Sequence, residues 1–402
     1  MLRSRPDSRT RRSPGRRLLA AWALVGLVGT SACQLPGLAT GATAPAAPAP
    51  APVAVPVATW SAADQTELPA GATLDVSVRD GSLVRLDAVD AAGRRLPTAV
   101  DGARAKVSDL PPSTTVRATA TLVGVDGRSL PTTRTVRTGA APRTVRAVVT
   151  PGDDAVVGIG QPVLVAFDGP IGDRAAVERA LTVRTDRPVG DAGWYWVSAR
   201  EVQYRPRRYW PAGTEVTVTA ALAGLRTGRT TWGVKDTVVT FRIGRAQVLR
   251  IDDATHQMRV ERDGELVRTV PVSLGRHEGT YTTRSGIKTI MSVERSVRMD
   301  SSTVGITGSE AYDQVVPYAM RLTWSGEYVH GAPWSEADQG RRNVSHGCTN
   351  VSLANARWLF DNSLVGDPVE TVGTDRRMEP GNGWGGGWNL DWAAWQAGSA
   401  LR

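Results

Sequence analysis

The segment TVRATATLVGVDG, residues 115–127, alternates apolar with polar side chains and then ends in glycine and aspartate. Alternation of this kind puts the apolar side chains on one face of a β-strand, and glycine with aspartate favours a turn after it. A shorter copy of the pattern, TLDVSVRD, occupies residues 73–80. Short alternating strands separated by turn residues are typical of a small antiparallel sandwich, which we expect over residues 60–142.

A second set of alternating strands follows over residues 143–245. Examples are PVLVAFDGP at 162–170, REVQYRP at 200–206 and TEVTVTAALAG at 214–224. This stretch contains no cysteine, and its aromatic cluster GWYWV at 193–197 supplies bulky side chains for a core. The pattern predicts an immunoglobulin-like sandwich that folds without a disulfide.

Residues 246–374 form a third predicted unit that is also rich in strands. Asp263 and Gly264 lie between two alternating runs, which is a strong signal for a hairpin turn. A strand is expected at KTIMSV, residues 288–293, followed by an irregular stretch that continues to residue 311.

The end of the third unit predicts its main helix. LANARWLFDNSL, residues 353–364, has helical spacing of its apolar residues, and Ser352 is placed to cap the amino end. A closing strand follows at DPVETV, residues 367–372. The fold class expected for the whole chain is therefore mainly β, with two sandwiches and then a β-rich unit with one main helix.

The carboxyl-terminal tail, residues 375–402, is rich in tryptophan. Three of its indoles fit one face of a helical turn. We expect the tail to pack on the third unit, and stacking of the indoles on a sugar is the alternative. The tryptophans are Trp384, Trp388, Trp392 and Trp395.

The amino end, residues 1–33, predicts an export signal. Arginines precede an apolar run, Leu18–Gly29, that is too short to span a bilayer as a helix. The sequence TSAC that ends this segment resembles a bacterial lipobox, so we expect lipidation of Cys33, with ordinary cleavage nearby as the alternative. The Ala/Pro-rich residues 34–59 predict an extended linker.

The net charge of +9 is concentrated at the amino end. Residues 1–33 hold seven arginines and one aspartate, which leaves the remainder of the chain only weakly basic. The composition therefore gives no reason to expect a nucleic acid as partner.

Histidine and cysteine are scarce in this chain, yet they gather in YVHGAPWSEADQGRRNVSHGCTN, residues 328–350. Once Cys33 is lipidated or removed, Cys348 has no disulfide partner. A thiol beside an imidazole is a strong nucleophile, so we expect Cys348 to attack and His330 to act as base. The Gly331 carbonyl is the expected acceptor for the other ring nitrogen of His330.

Gly347 favours a tight turn that points main-chain N–H groups at an oxyanion, which fits the same chemistry.

The same stretch also allows another interpretation. A zinc site built from His330, His346 and Cys348 is an alternative, although no fourth ligand is suggestively spaced.

The motifs HGAPWS, SHGCTNVS and ANARWLF resemble the catalytic signature of the L,D-transpeptidase (YkuD-type) family. RMDSST, AYDQ and the tail GGGWNLDWAAWQAG extend the resemblance to the multidomain mycobacterial type, which carries immunoglobulin-like domains. The resemblance implies that residues 60–142 are an additional immunoglobulin-like domain and that residues 246–374 are the catalytic domain.

The resemblance also implies a role for each site residue. Cys348 is the acylated nucleophile, and His330 is the base that Gly331 orients. The oxyanion site uses the main chain of His346, Gly347 and Cys348, assisted by the Tyr312 hydroxyl. Residues that line the substrate path or hold the loop are Met299, Trp334, Ser345 and Asn350.

The implied reaction joins peptidoglycan stem peptides. The thiolate attacks the third residue of a tetrapeptide, D-alanine leaves, and an amine of a second stem resolves the thioester into a 3-to-3 cross-link. No metal or organic cofactor is implied, and carbapenem-type β-lactams are expected to acylate the same cysteine. Transfer to water, which is L,D-carboxypeptidation, is one alternative, and a catalytically inactive module that binds the cell wall is another. With a lipid anchor, the protein would lie on the outer face of the cytoplasmic membrane and reach into the wall.

Overall fold

The computed structural model describes residues 53–305 and 307–402. The predicted export signal, the lipidation site at Cys33 and the linker residues 34–52 lie outside the described residues. The described chain is mainly β, as predicted, and it contains three buried apolar clusters that follow one another along the sequence. Within the described ranges, no helix combines the length and apolar character that crossing a bilayer requires.

The first sandwich packs two four-stranded sheets against each other, in the orders β1-β3-β6-β5 and β2-β8-β7-β4. Alternation in the β7 segment buries Val116, Ala118, Ala120 and Leu122, as the sequence predicts. The first strand begins at Val57, inside the stretch predicted to be linker. The strands are β1 (Val57–Trp60), β2 (Glu67–Leu68), β3 (Leu74–Arg79), β4 (Gly81–Asp90), β5 (Thr98–Asp101), β6 (Arg104–Val107), β7 (Thr115–Gly124) and β8 (Ser129–Thr138).

The second sandwich contains the sheets β10-β12-β15-β14 and β11-β18-β16-β13, with β17 and β9 as a separate parallel pair. Trp194, Trp196 and Phe167 fill its core in place of a disulfide. A short helix, α1 (Arg174–Ala180), is capped by the side chain of Asp173. The strands are β9 (Arg143–Val145), β10 (Ala147–Thr150), β11 (Val156–Val157), β12 (Val163–Phe167), β13 (Leu181–Thr185), β14 (Ala192–Ser198), β15 (Glu201–Pro206), β16 (Glu215–Ala220), β17 (Thr231–Gly233) and β18 (Thr237–Ile243).

The third unit has a five-stranded sheet, β21-β20-β19-β27-β22, and a four-stranded sheet, β23-β24-β25-β26. The main helix, α2 (Leu353–Asn362), begins where the Ser352 side chain accepts a hydrogen bond from the Asn355 N–H. The strands are β19 (Gln247–Asp252), β20 (Gln257–Arg262), β21 (Glu265–Pro271), β22 (Gly286–Thr289), β23 (Ser292–Asp300), β24 (Asp313–Arg321), β25 (Tyr328–Gly331), β26 (Thr349–Val351) and β27 (Pro368–Val372). Single 3-10 turns lie at Gly279–Tyr281, Ser301–Val304, Gly308–Glu310 and Pro333–Ser335.

The single strand predicted at residues 288–293 is wrong, because the chain changes sheets within it. Ile290 and Met291 separate β22 from β23. The Ile290 N–H donates to the carbonyl of Asp367, which directly precedes β27 of one sheet, and the Met291 N–H donates to that of Arg321 in β24 of the other. Both side chains are buried at this crossing, so their apolar character gave no sign of it. Strand β23 then continues to Asp300 through the stretch predicted to be irregular.

The tail packs on the third unit and also on the second sandwich. It forms a 3-10 helix, Trp384–Asn389, and a short helix, α3 (Trp392–Ala397). The Nε1 groups of Trp388 and Trp395 donate to the carbonyls of Gly160 and Gly193 in the second sandwich.

Arg205 of β15 is the centre of this contact. Its guanidinium lies 4.6, 5.5 and 4.3 Å from the ring centroids of Trp388, Trp392 and Trp395, and it donates to two tail carbonyls. The side chain is only 3% exposed, and burial lowers the pKa of Arg205 to about 10, so it stays cationic at neutral pH. A desolvated cation among aromatic rings stabilises the contact between tail and sandwich.

Replacement of Arg205 by methionine is expected to lower the free energy of unfolding by about 2–4 kcal/mol, because the cation–π contacts and charged hydrogen bonds are lost while most of the volume stays. Urea denaturation measures the loss, and limited proteolysis reports release of the tail. Arg207→Met, at an exposed neighbouring position, is the matched control. Equal stability of the two variants would contradict the assigned role of Arg205.

Candidate active site

A parallel strand pair brings together the two segments that carry the predicted nucleophile and base. Strand β25 holds His330, and β26 begins directly after Cys348. In the register of this pair, His330 lies opposite Asn350. The hydrogen-bonded ladder therefore fixes the distance between the two segments, although a long loop separates them in sequence.

Most of the predicted site residues line one cavity of about 290 Å³. His330 and Cys348 both face it, and the exposed indole of Trp334 lies at its edge. Gln314 and Val344 also line it, although the sequence did not single them out. The lining residues are Met299, Tyr312, Gln314, His330, Trp334, Val344, Ser345, His346, Cys348 and Asn350.

His330 is a buried, neutral imidazole, 3% exposed. Its Nδ1 lies 3.0 Å from the Gly331 carbonyl, which was the acceptor expected from the sequence. Because a carbonyl only accepts, the proton is on Nδ1, and Nε2 is the basic nitrogen. Burial lowers the pKa of His330 to about 4, against the opposing effect of the Gly331 bond.

Cys348 is half-buried and is the only cysteine in the described residues. Its thiol donates to the Gly326 carbonyl at 3.6 Å and not to His330. Burial raises the pKa of Cys348 to about 12, and the charge of Glu327 adds to this, against the opposing effects of the Tyr328 main chain and Lys288. At neutral pH the resting site therefore contains a protonated thiol and a neutral imidazole.

The loop before Cys348 is held by the Ser345 hydroxyl. This group donates to the Cys348 carbonyl at 2.7 Å and accepts the Gly347 N–H at 3.1 Å. Gly347 has a φ of +130°, which other residues rarely adopt. In this conformation the Gly347 N–H is donated to Ser345, and its binding of an oxyanion stays a prediction. Gly347 shapes the loop through its backbone conformation.

Asn350 links the two catalytic segments. Its Nδ2 donates to the Ser335 hydroxyl at 3.0 Å, and Ser335 lies in the 3-10 turn that follows His330. The Asn350 main chain also pairs with Ser273. These bonds fix β26 against the segment after β25.

His346 is engaged by an acidic residue that the sequence did not single out. Its Nε2 donates to Glu310 at 2.8 Å, and Arg276 donates to the same oxygen at 2.7 Å. These two hydrogen bonds lower the pKa of Glu310, which therefore stays ionised. The bond to Glu310 fixes the orientation of the His346 ring in the cavity wall.

Tyr312 packs at 5.2 Å from the His346 ring and lines the same cavity as Cys348. Burial, followed by the charge of Cys348, raises the pKa of Tyr312 to about 12. Its hydroxyl therefore keeps its proton and is able to donate a hydrogen bond to a developing oxyanion.

Lys288, Arg284 and Glu327 form a buried ionic group near the Cys348 loop. Lys288, which is 0% exposed, donates to Glu327 at 3.0 Å, and the Arg284 guanidinium donates to the other Glu327 oxygen at 2.9 Å. Arg284 also reaches Glu379 in the tail at 2.5 Å. The sequence gives only a weak sign of this group, a charged residue inside each of the apolar runs around 288 and 327.

The zinc alternative is not supported by the side-chain arrangement. Within residues 53–305 and 307–402, no group of three or more His, Cys, Asp or Glu side chains is placed to hold a metal ion.

A second, larger cavity of about 590 Å³ adjoins the first. The two share Met299, Tyr312 and His346 as a common wall. Gly347 and several arginines line the larger one. The Cys348 loop is therefore bordered by two spaces that could each receive part of a substrate.

Two family models match the chain. The one described as L,D-transpeptidase catalytic domain matches residues 246–371, and the one described as bacterial Ig domain matches residues 65–226. The second match extends across parts of both sandwiches.

Known proteins are similar over most of the chain. L,D-transpeptidase 2 of Mycobacterium tuberculosis is 36% identical over 349 residues, covering 84% of this chain and 84% of that protein. L,D-transpeptidase 1 of the same species is 43% identical over 230 residues, covering 56% of this chain and 84% of that protein. A solved structure of the LD transpeptidase LdtMt1 in complex with imipenem matches with a TM-score of 0.50 and 41% identity, covering 57% of this chain and 99% of that one.

The protonated resting thiol predicts a particular pH dependence. Alkylation of Cys348 by iodoacetamide, followed by peptide mapping, is expected to accelerate about tenfold per pH unit up to about pH 10 without a plateau, because only the thiolate reacts. The control is a free peptide of residues 345–351, which levels off above its ordinary pKa of about 8.5. A plateau for the folded chain below about pH 9 would show that the site holds a preformed thiolate.

The buried ionic group predicts a large loss of stability on removal of one partner. Lys288→Met is expected to lower the free energy of unfolding by about 3–5 kcal/mol, because Glu327 keeps its charge in the interior with one cation fewer. Urea denaturation measures this, with exposed Lys235→Met as control. Adding Glu327→Gln to Lys288→Met should recover part of the loss, and a double variant less stable than the single one would contradict the pairing.

Proposed function

The chain belongs to the L,D-transpeptidase family and is an acyltransferase of the cysteine-nucleophile type, and from this premise we propose that it cross-links peptidoglycan stem peptides through a thioester on Cys348. The observation that carries the proposal is the shared cavity of Cys348 and His330, in which the Gly331 carbonyl fixes the imidazole tautomer. This is the arrangement of nucleophile, base and orienting acceptor that acyl transfer requires.

The acylation step begins from two neutral groups. Sγ of Cys348 forms a bond to the carbonyl carbon of the third stem residue, while its proton moves to Nε2 of His330. The bond from that carbon to the D-alanine nitrogen then breaks, and the imidazolium returns the proton to the leaving amine. The lowered pKa of His330 and the raised pKa of Cys348 both oppose a thiolate–imidazolium pair in the resting site. Proton transfer therefore accompanies the attack of the sulfur and does not precede it.

The oxyanion of this step needs donors that are not already in use. The Tyr312 hydroxyl keeps its proton and lines the same cavity as the thiol. We assign it together with main-chain N–H groups at His346 and Cys348, since the Gly347 N–H is held by Ser345. Donors fixed in place before reaction stabilise the developing charge without reorganisation.

Deacylation reverses the same proton movements. A side-chain amine of a second stem, such as that of diaminopimelate, gives a proton to His330 as it attacks the thioester carbon. The carbon–sulfur bond breaks, Cys348 regains the proton, and a 3-to-3 cross-link is the product. All of these steps use side-chain and main-chain groups of this chain.

We extend the proposal to inhibitors and to location. LdtMt1 has been solved in complex with imipenem. A carbapenem carries a strained acyl group, and we propose that it acylates Cys348. We also propose that lipidation of Cys33 anchors the protein to the outer face of the cytoplasmic membrane, so that the two sandwiches carry the catalytic unit into the wall. The sequence of residues 1–33 supports this part.

L,D-carboxypeptidation is the second candidate function. It forms the same thioester and differs only in using water as the acceptor. Two adjoining cavities at the Cys348 loop favour transfer, since together they offer space for a donor stem and an acceptor stem.

Intact mass spectrometry of the soluble exported form, which begins after Cys33, tests the proposal after incubation with a disaccharide-tetrapeptide. The parent is expected to gain an adduct that lacks one D-alanine and to release cross-linked dimer, whereas Cys348→Ala gains none. His330→Gln is expected to slow adduct formation at least about 100-fold, because the general base is lost. Shortened monomers without dimers would indicate carboxypeptidation.

A further test separates an inactive site from an unsuitable donor. A folded parent that forms no adduct with either the tetrapeptide or a carbapenem would refute the acyltransfer proposal for Cys348 and favour a wall-binding role.

A further inference from the structure

The larger cavity beside the Cys348 loop is lined by more cations than anions. Its wall contains four arginines but only two acidic side chains, Asp300 and Glu327. The arginines are Arg284, Arg298, Arg321 and Arg376. Their partners decide which of these charges is available to a ligand.

Two of the four arginines are already neutralised. Arg284 is bonded to Glu327 and Glu379. Arg298 makes two hydrogen bonds to the Asp313 carboxylate, at 2.8 and 2.5 Å. Among residues 53–305 and 307–402, neither Arg321 nor Arg376 forms an ion pair with a carboxylate, so these two arginines of the wall are the ones available to an anionic ligand.

Arg321 is held in place without losing its charge. It donates through Nε to the Thr323 carbonyl and through Nη2 to the Trp324 carbonyl, both at 3.0 Å. Its guanidinium lies 5.7 Å from the ring centroids of Trp324 and of Tyr328. These contacts fix the Arg321 guanidinium at the cavity wall. Because the side chain is already ordered, it loses little conformational entropy when a ligand binds.

Arg376 is fixed in a similar way from the other side. Its Nη1 donates to the carbonyls of Thr280 and Thr282. Burial, followed by repulsion from Arg284, lowers the pKa of Arg376, against the attraction of Glu327 and Glu379. The two hydrogen bonds to carbonyls hold the Arg376 guanidinium at the cavity wall.

The cavity is continuous with the reacting centre. Tyr312, His346 and Gly347 line it, and Gly347 directly precedes Cys348. A stem peptide whose carbonyl reaches Cys348 therefore extends along a wall that carries Arg321 and Arg376. Carboxylate is the anionic group that such peptides bear.

We propose that Arg321 and Arg376 bind a free carboxylate of the stem peptide and make this chain prefer stems that are not amidated. The inference rests on the proposed function, since it concerns the substrate of the same site. Guanidinium groups bind carboxylates through charge-assisted, often bidentate hydrogen bonds, which an amide cannot reproduce. On the two residues that flank the bond that breaks, two groups offer this chemistry: the terminal carboxylate of the D-alanine that leaves and the free carboxylate of diaminopimelate.

The test compares three tetrapeptide donors on the full exported chain. One has both carboxylates free, one has the D-alanine carboxyl as amide, and one has the diaminopimelate carboxyl as amide. The parent is expected to form the thioester about tenfold faster with the free acid than with one of the two amides, because a charged hydrogen bond is lost. The amide that reacts slowly identifies the carboxylate that is bound.

Variants then test whether Arg321 and Arg376 cause the preference for the free acid. Arg321→Gln and Arg376→Gln are each expected to bring the acid-to-amide rate ratio close to one, mainly by slowing the acid. Arg298→Gln is the matched control, since Arg298 lines the same cavity but already has a carboxylate, and it is expected to keep the parent ratio. Circular dichroism and iodoacetamide labelling of Cys348 confirm that each variant is folded with an accessible thiol.

The outcomes separate this inference from the proposed function. Equal thioester formation from all three donors by the parent overturns the carboxylate preference and leaves acyl transfer intact. A parent preference that survives in both Arg321→Gln and Arg376→Gln overturns the assignment to these residues. Absence of any adduct in the folded parent refutes the acyl transfer itself.

Discussion

One buried carboxylate, Glu327, sets the geometry of the catalytic unit. A charge without solvent must be compensated, and here Lys288 from one sheet and Arg284 from the loop before it converge on Glu327, which directly precedes β25 of the other sheet. Arg284 also reaches Glu379, so the tail is tied to the same point. The position of β25, and with it that of His330, follows from this convergence.

The local part of this architecture could be predicted from sequence. Alternation gave both sandwiches and the hairpin at Asp263, and Ser352 marked the start of the main helix, because these features depend on neighbours in the chain. The spacing of His330, Gly347 and Cys348 likewise gave the centre of the candidate site. Each signal lies within one short segment.

The parts that could not be predicted depend on contacts between distant segments. Ile290 and Met291 look like strand interior, and only the presence of two sheets makes them a crossing. Glu310 looks like a surface residue until the fold brings it to His346. Arg205 looks like an ordinary strand arginine, since the aromatic rings that surround it come from the tail. In each case the deciding partner is remote in sequence, and no local pattern encodes it.

The protonated state of Cys348 has a consequence for the chemical lifetime of the protein. Peroxides and disulfides react with thiolate, not with thiol, and the fraction of thiolate at neutral pH is very small when burial raises the pKa of Cys348 to about 12. At the exported location that we propose, an accessible thiolate would be open to oxidation. In the proposed mechanism the thiolate forms only as substrate is attacked, so the site would be protected from oxidation between turnovers.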